Sequence, residues 1–262
     1  MKNLKYILPL TVLIIFTACK KKKNEDPPQD DSNTPTGIFM FHLHTYIDNN
    51  EVDNYNIVYT TDLGRKVSLS LAQLYISEIQ LVKLDGSTVD FSGKKILKTL
   101  TGETYMVGTA PVGNYKTFKF KVGLNAATNS LSPTAPSDSA LLNKPEMWLG
   151  TTAQPDGYVF MNVQGKIDTT TDASGTVAQM QPFQFKIGTN ANYKQVVMPD
   201  KNFTLVEDQV EYGHVLIDYN KLFSGLALYN PANLSVTTAS ANTVSPATII
   251  VNNMTSMFVY EQ

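Results

Sequence analysis

Phe118-Lys119-Phe120-Lys121-Val122-Gly123-Leu124 decides the fold class, because apolar residues fall on every second position and alternate with Lys119 and Lys121. That period of two belongs to a strand with one face in a core and one in water. Val67, Leu69 and Leu71 repeat it, as do Val159, Met161 and Val163. Between such runs stand Asp85-Gly86, Pro111-Val112-Gly113-Asn114, Asp156-Gly157 and Ala173-Ser174-Gly175, residues that supply the positive or preset φ of tight reversals. From Gly37 onward the pattern predicts an all-β protein, an antiparallel β-sandwich spanning 37–262. Leu71 to Ile79 shifts phase, as a bulged strand or a short helical turn would. Helical pieces are expected only as short segments, around Tyr219–Phe223 and Pro246–Phe258.

A long irregular loop, Asn125 to Pro155, interrupts the strands. It is rich in Ser, Thr, Pro and Asn up to Asp138 and then carries Leu141, Leu142, Met147 and the single tryptophan, Trp148. Loops of this length inside a domain are functional or disordered. Apolar anchors at its end favour a loop folded over the sheet, with Trp148 either a plug beneath it or a ligand-stacking platform.

The amino-terminal end sets where the protein works. Lys2 and Lys5 precede an apolar run from Tyr6 to Ala18, well short of the roughly 20 residues that a spanning helix needs. Phe16-Thr17-Ala18-Cys19 has the form of a lipoprotein cleavage site. Residues 1–18 are read as a signal peptide, and Cys19 as the lipid-attachment residue of a chain held stably on a membrane by more than one acyl group. The polar stretch 19–36, with Lys20-Lys21-Lys22-Lys23 and then Asp26-Pro27-Pro28, has almost nothing to bury and reads as a disordered tether. The expected location is the outer membrane, facing the periplasm or the cell surface.

Cys19 is the only cysteine, so once lipidated it leaves no disulfide, zinc knot or thiol nucleophile. The formal net charge is −2 and Arg65 is the sole arginine, a balance unsuited to nucleic acid. There is no Gly-x-Ser-x-Gly, no phosphate-binding Gly-Lys-Ser/Thr loop and no His-Glu-x-x-His. Asp168 and Asp172 are spaced four apart rather than two, which fits a hairpin turn better than a calcium loop. The reading is a binding module without catalysis.

Metal chemistry is written into Phe39-Met40-Phe41-His42-Leu43-His44. Period two puts Phe39, Phe41 and Leu43 on one face and Met40, His42 and His44 on the other, with alternate side chains about 6.5–7 Å apart. His42 and His44 are therefore the candidate metal ligands, with Met40 as an added thioether that copper accepts. The plain alternative is a pair of part-exposed strand histidines holding no ion. His214, the third histidine, falls on an expected strand with Leu216 and Asp218 on its face.

Several motifs follow one another in an order that resembles the MbnP-like domain family. They are His44-Thr45-Tyr46-Ile47-Asp48, Tyr59-Thr60-Thr61-Asp62-Leu63-Gly64, Leu71-Ala72-Gln73-Leu74-Tyr75-Ile76-Ser77 with Asp85-Gly86, Pro111 to Tyr115 leading into Phe120 to Asn125, Gly157-Tyr158-Val159-Phe160 and Phe185-Lys186-Ile187-Gly188. The resemblance implies a single β-rich domain, copper as the ligand and a di-haem oxidase as partner. In its copper-binding members a first-strand histidine pairs with a second in a His-Ile-Gly motif. His44 fits the first position, but Lys186 stands in the second and His42 where an oxidised tryptophan would be, so the inherited site is broken or rebuilt around His42 and His44. The rival function is a surface adhesin or glycan-contacting lipoprotein that stacks sugars on loop tyrosines and Trp148.

Overall fold

Thr36–Ile47 forms β1, and its burial alternates residue by residue: Phe39, Phe41, Leu43 and Ile47 are buried while Met40, His42 and His44 are half-buried. The computed structural model describes residues 34–132, 139–150, 155–238 and 245–261. The expected signal peptide, Cys19 and nearly all of the tether lie outside these residues. After β1 come β2 (Asn50–Glu51), β3 (Tyr59–Thr60), β4 (Lys66–Lys83), β5 (Thr88–Asp90), β6 (Lys95–Thr99), β7 (Thr104–Pro111) and β8 (Gly113–Val122). The helical turns α1 (Ala126–Asn129) and α2 (Ser139–Leu142) precede β9 (Trp148–Gly150), β10 (Pro155–Ile167), β11 (Gln181–Gly188) and β12 (Lys194–Val197). The remaining elements are β13 (Phe203–Leu205), β14 (Val210–Asp218), β15 (Ser235–Thr237), α3 (Ser245–Met254) and β16 (Phe258–Tyr260).

Two sheets make an all-β sandwich. The first runs β16-β14-β1-β2, with β7 also paired to β1. The second runs β12-β8-β4-β10-β11-β15, with β3, β5 and β6 on β4, β9 on β10 and β13 on β8. Most pairings are antiparallel, as the turn residues predict, but β1 pairs β14 and β11 pairs β15 in parallel. No hairpin can join such partners, and the intervening chain supplies the crossover.

β4 is the phase-shifted segment, and it is a bulged strand rather than a helical turn. Its register slips between Ser77 and Gln80, where Glu78 takes a positive φ of 48°. The bulge lets one long strand pair with β10 over Val67–Leu74 and with β8 over Ile76–Lys83. Asp85-Gly86 forms a turn, and of Ala173-Ser174-Gly175 only Ala173 belongs to one, closing it with its N–H on the Thr170 carbonyl at 3.4 Å, whereas Asp156-Gly157 falls inside β10, at the irregularity between Pro155 and Tyr158 where it meets β9.

Aromatic side chains join the sheets. Phe41 on β1 lies 5.2 Å from Phe118 and 5.8 Å from Phe120 on β8, and Phe120 lies 5.1 Å from Phe258 on β16. Such ring pairs add about 0.5–1.5 kcal/mol each beyond the area they bury. A second cluster explains the long loop. Leu142, Met147, Trp148 and Leu149 pack with Tyr75, Tyr158 and Phe160, and the Trp148 indole N–H donates to the Leu142 carbonyl at 2.8 Å. Trp148 is thus a plug under the loop, 7% exposed.

The expected helical pieces are present. Tyr219–Phe223 is a 3₁₀ turn, and α3 ends at Met254, before the anticipated Phe258. There the Thr255 and Ser256 hydroxyls bond back to the Asn252 and Asn253 carbonyls, at 3.2 and 2.7 Å, in a 3₁₀ turn that leads into β16. Among the described residues no helix is long and apolar enough to cross a membrane.

Candidate metal centre

Burying Phe39, Phe41 and Leu43 forces the intervening β1 side chains onto the outer face of the first sheet. The parallel register with β14 then sets His42 directly opposite His214, with Met40 opposite Tyr212 and His44 opposite Leu216. On β14, Val215 and Ile217 are buried, so His214 shares the outer face. β16 runs antiparallel to β14, and the Glu261 N–H, just past its end, donates to the His214 carbonyl at 3.4 Å. Three strands thereby deliver four ligand-type side chains to one spot.

The geometry is close. His42 Nδ1 lies 3.2 Å from His214 Nδ1, and His214 Nδ1 lies 3.1 Å from Glu261 Oε2. The rings of His42 and His44 are 4.3 Å apart between centroids, and His44 Nε2 is 3.7 Å from Glu261 Oε2. One candidate ligand atom from each of His42, His44, His214 and Glu261 lies within 4.8 Å of the other three. His44 Nε2 is buried and has no hydrogen-bond partner. A buried imidazole nitrogen without a hydrogen-bond partner calls for an explanation, and an ion shared with the neighbouring side chains is one that this grouping would allow. His44 Nδ1, by contrast, is held by Glu51 Oε1 at 2.5 Å, and His42 Nε2 faces Glu103 Oε2 at 3.5 Å.

Both candidate histidines therefore lie where the sequence puts them, on one face and side by side. Met40 sits one rung away, opposite Tyr212 and Met106, rather than opposite a histidine. Lys186 lies on β11 in the second sheet, between Asn162 and Thr237, whereas the side chains that join His42 and His44 come from β14 and from the residue after β16. Sequence reasoning did not bring His214 and Glu261 to this cluster. The alternation His214-Val215-Leu216-Ile217 signals the outward face, but the parallel neighbour 172 residues away leaves no local mark.

A family model for MbnP matches residues 36–245. The chain belongs to the MbnP family. Its fold is similar to the solved structure of MbnP from Methylosinus trichosporium, with a TM-score of 0.52 and 16% identity over 82% of this chain and 87% of that one. At that identity the likeness is one of fold. No match was found among curated proteins. The span that defines MbnP membership includes His42, His44 and His214 and ends before Glu261.

Proposed function

We propose that this MbnP-family protein is an exported, lipid-anchored, non-enzymatic binding protein that holds one copper ion through His42, His44 and His214, with Glu261 as the carboxylate ligand. The observation that carries the reading is the convergence of these four side chains around the unpartnered, buried His44 Nε2. Imidazole and carboxylate donors suit Cu(II), which also stands at the top of the divalent affinity order. A thioether is not required, so the Met40 ligand entertained from the sequence drops out of the donor set. Zn(II) accepts similar donors and is the natural competitor. Lipidation at Cys19 would keep the site at a membrane surface.

The glycan-contacting alternative has less support. Among the described residues the strongly exposed tyrosines are Tyr229 and Tyr212, on separate segments, with Tyr212 flanking the histidines at 6.2 Å from His42. A cavity of about 610 Å³ on the second sheet is lined by Ser70, Gln164, Lys166 and Gln184, and its one aromatic residue, Phe183, is buried.

The test is calorimetric titration of the purified domain with Cu(II) and with Zn(II), wild type against His44→Ala. One equivalent of Cu(II), with at least a hundredfold loss of affinity in the variant, is expected. Equal stoichiometry and affinity would dismiss the site. Palmitate incorporation that disappears in Cys19→Ala tests the anchor.

A further inference from the structure

β1 divides the neighbourhood of the histidines into two sides. His214 and Glu261 arrive from β14 and β16 on one side. Glu51 arrives from β2 and Glu103 from the residue before β7, both on the other. Each of these two carboxylates takes one imidazole. Glu51 accepts from His44 Nδ1 at 2.5 Å, and Glu103 stands 3.5 Å from His42 Nε2. In both rings the remaining nitrogen points at the ligand cluster: His44 Nε2, buried and unpartnered, and His42 Nδ1, 3.2 Å from His214.

A neutral imidazole carries one N–H and one lone pair, and a carboxylate on one nitrogen holds the proton there. We propose that Glu51 and Glu103 are positioning residues that fix the tautomers of His44 and His42, so that the Nε2 lone pair of His44 and the Nδ1 lone pair of His42 are presented to the metal. The two rings bind through opposite nitrogens because their carboxylates approach opposite nitrogens. This rests on the copper-binding reading above and adds the donor atom to each residue. In His214 the carboxylate stands on the ligand side instead. The His214 Nδ1 faces both Glu261 and His42, so in the metal-free protein its N–H is shared between them and must move to Nε2 when Nδ1 becomes a ligand. A carboxylate behind a ligating histidine also raises its basicity, and losing one costs about 10–100-fold in metal affinity.

His44, Glu51 and Glu103 also form a second close group, within 4.8 Å of one another. If they bound an ion of their own, the two carboxylates would be ligands and not positioning residues. Stoichiometry separates the two cases.

The experiment is long-range ¹⁵N–¹H correlation of the metal-free domain at a pH where the imidazoles are neutral, repeated with Zn(II) as a diamagnetic probe. Wild type should show Nδ1–H on His44 and Nε2–H on His42 in both states, with only His214 changing. Glu51→Ala should release His44 to a mixture of tautomers and weaken Cu(II) binding about 10–100-fold at unchanged one-to-one stoichiometry, and Glu103→Ala should do the same for His42. Glu51→Gln, which keeps an acceptor, should recover part of the loss. Unchanged tautomers and unchanged affinity in both alanine variants would overturn the assignment, as would two ions bound per chain with one lost in Glu51→Ala. A wild-type protein that binds neither metal would defeat the copper reading. The metal-free spectra would still show whether the carboxylates orient the rings. Both are part-exposed, Glu51 at 41% and Glu103 at 42% by side chain, so their removal leaves the core intact.

Discussion

His42 and His214 stand opposite each other in a parallel strand pair, with their Nδ1 atoms 3.2 Å apart although they are 172 positions apart in the chain. With no hairpin between the two strands, the buried inner face specifies the register, here through Phe41 and Leu43 on β1 and Val215 and Ile217 on β14. A slip of one residue would turn His214 into the core and Val215 outward. The histidine cluster and the aromatic core are thus set by one register.

His214→Ala is expected to lower Cu(II) affinity as much as His44→Ala does, while Met40→Leu leaves it within about threefold, a difference of roughly 0.7 kcal/mol or less. Competition titration with a chelator of known affinity reads both. Loss of binding in Met40→Leu would restore the thioether to the donor set.

Gly213 faces Phe41 in that register, and a Cβ placed on it would lie 2.9 Å from Phe39 Cζ and 3.0 Å from Phe118 Cε1. Gly213→Ala should therefore destabilise the fold by about 1–3 kcal/mol through overpacking. Urea unfolding followed by circular dichroism measures it, and an unchanged midpoint would show that the rings move aside freely.

How far these features can be read from the chain depends on their range. The alternation in Phe118 to Leu124 and in Phe39 to His44 is local, so the strands and the shared face of His42 and His44 are legible. The β4 bulge is half-legible: the phase shift of Leu71 to Ile79 shows, but Glu78 gives no sign that it takes a positive φ. Illegible are the parallel neighbours. Nothing near His214 specifies β1 as its partner, and Glu261 looks like a solvated terminal acid until β16 carries it back beside His214.

Trp148, the only tryptophan, reports directly on the long loop. Its buried indole and its bond to Leu142 predict blue-shifted emission that moves to the red on unfolding. Trp148→Phe keeps most of the apolar volume but leaves the Leu142 carbonyl without that donor, for an expected loss of about 1–3 kcal/mol. Emission already at the wavelength of free tryptophan in the native protein would contradict the plug.

Lys98 makes stability depend on pH. Its side chain is fully buried, and burial pulls the ammonium down to about 7 from 10.5, with Glu103 acting in the opposite direction. Nζ donates to Thr45 Oγ1 at 2.9 Å, Thr99 O at 2.5 Å and Leu100 O at 3.2 Å, three acceptors that match the three N–H donors of the ammonium, whereas the neutral amine can serve only two of them. Between about pH 7 and 10.5 the unfolded chain carries the Lys98 proton that the folded chain has released, so the unfolded state binds more protons and stability rises with pH. Below about 7 both states are protonated, and that gain is absent. Tyr75, Tyr193 and Tyr219 are all raised above 10 by burial and act in the opposite sense once the unfolded tyrosines ionise, which closes the window near pH 10. Urea unfolding at pH 7.5, 8.5 and 9.5 should show stability increasing by at most about 1.4 kcal/mol per pH unit from this group. In Lys98→Met the slope should flatten. An equal slope in the variant would mean that Lys98 keeps its proton through the whole range and that its three oxygen partners outweigh its burial.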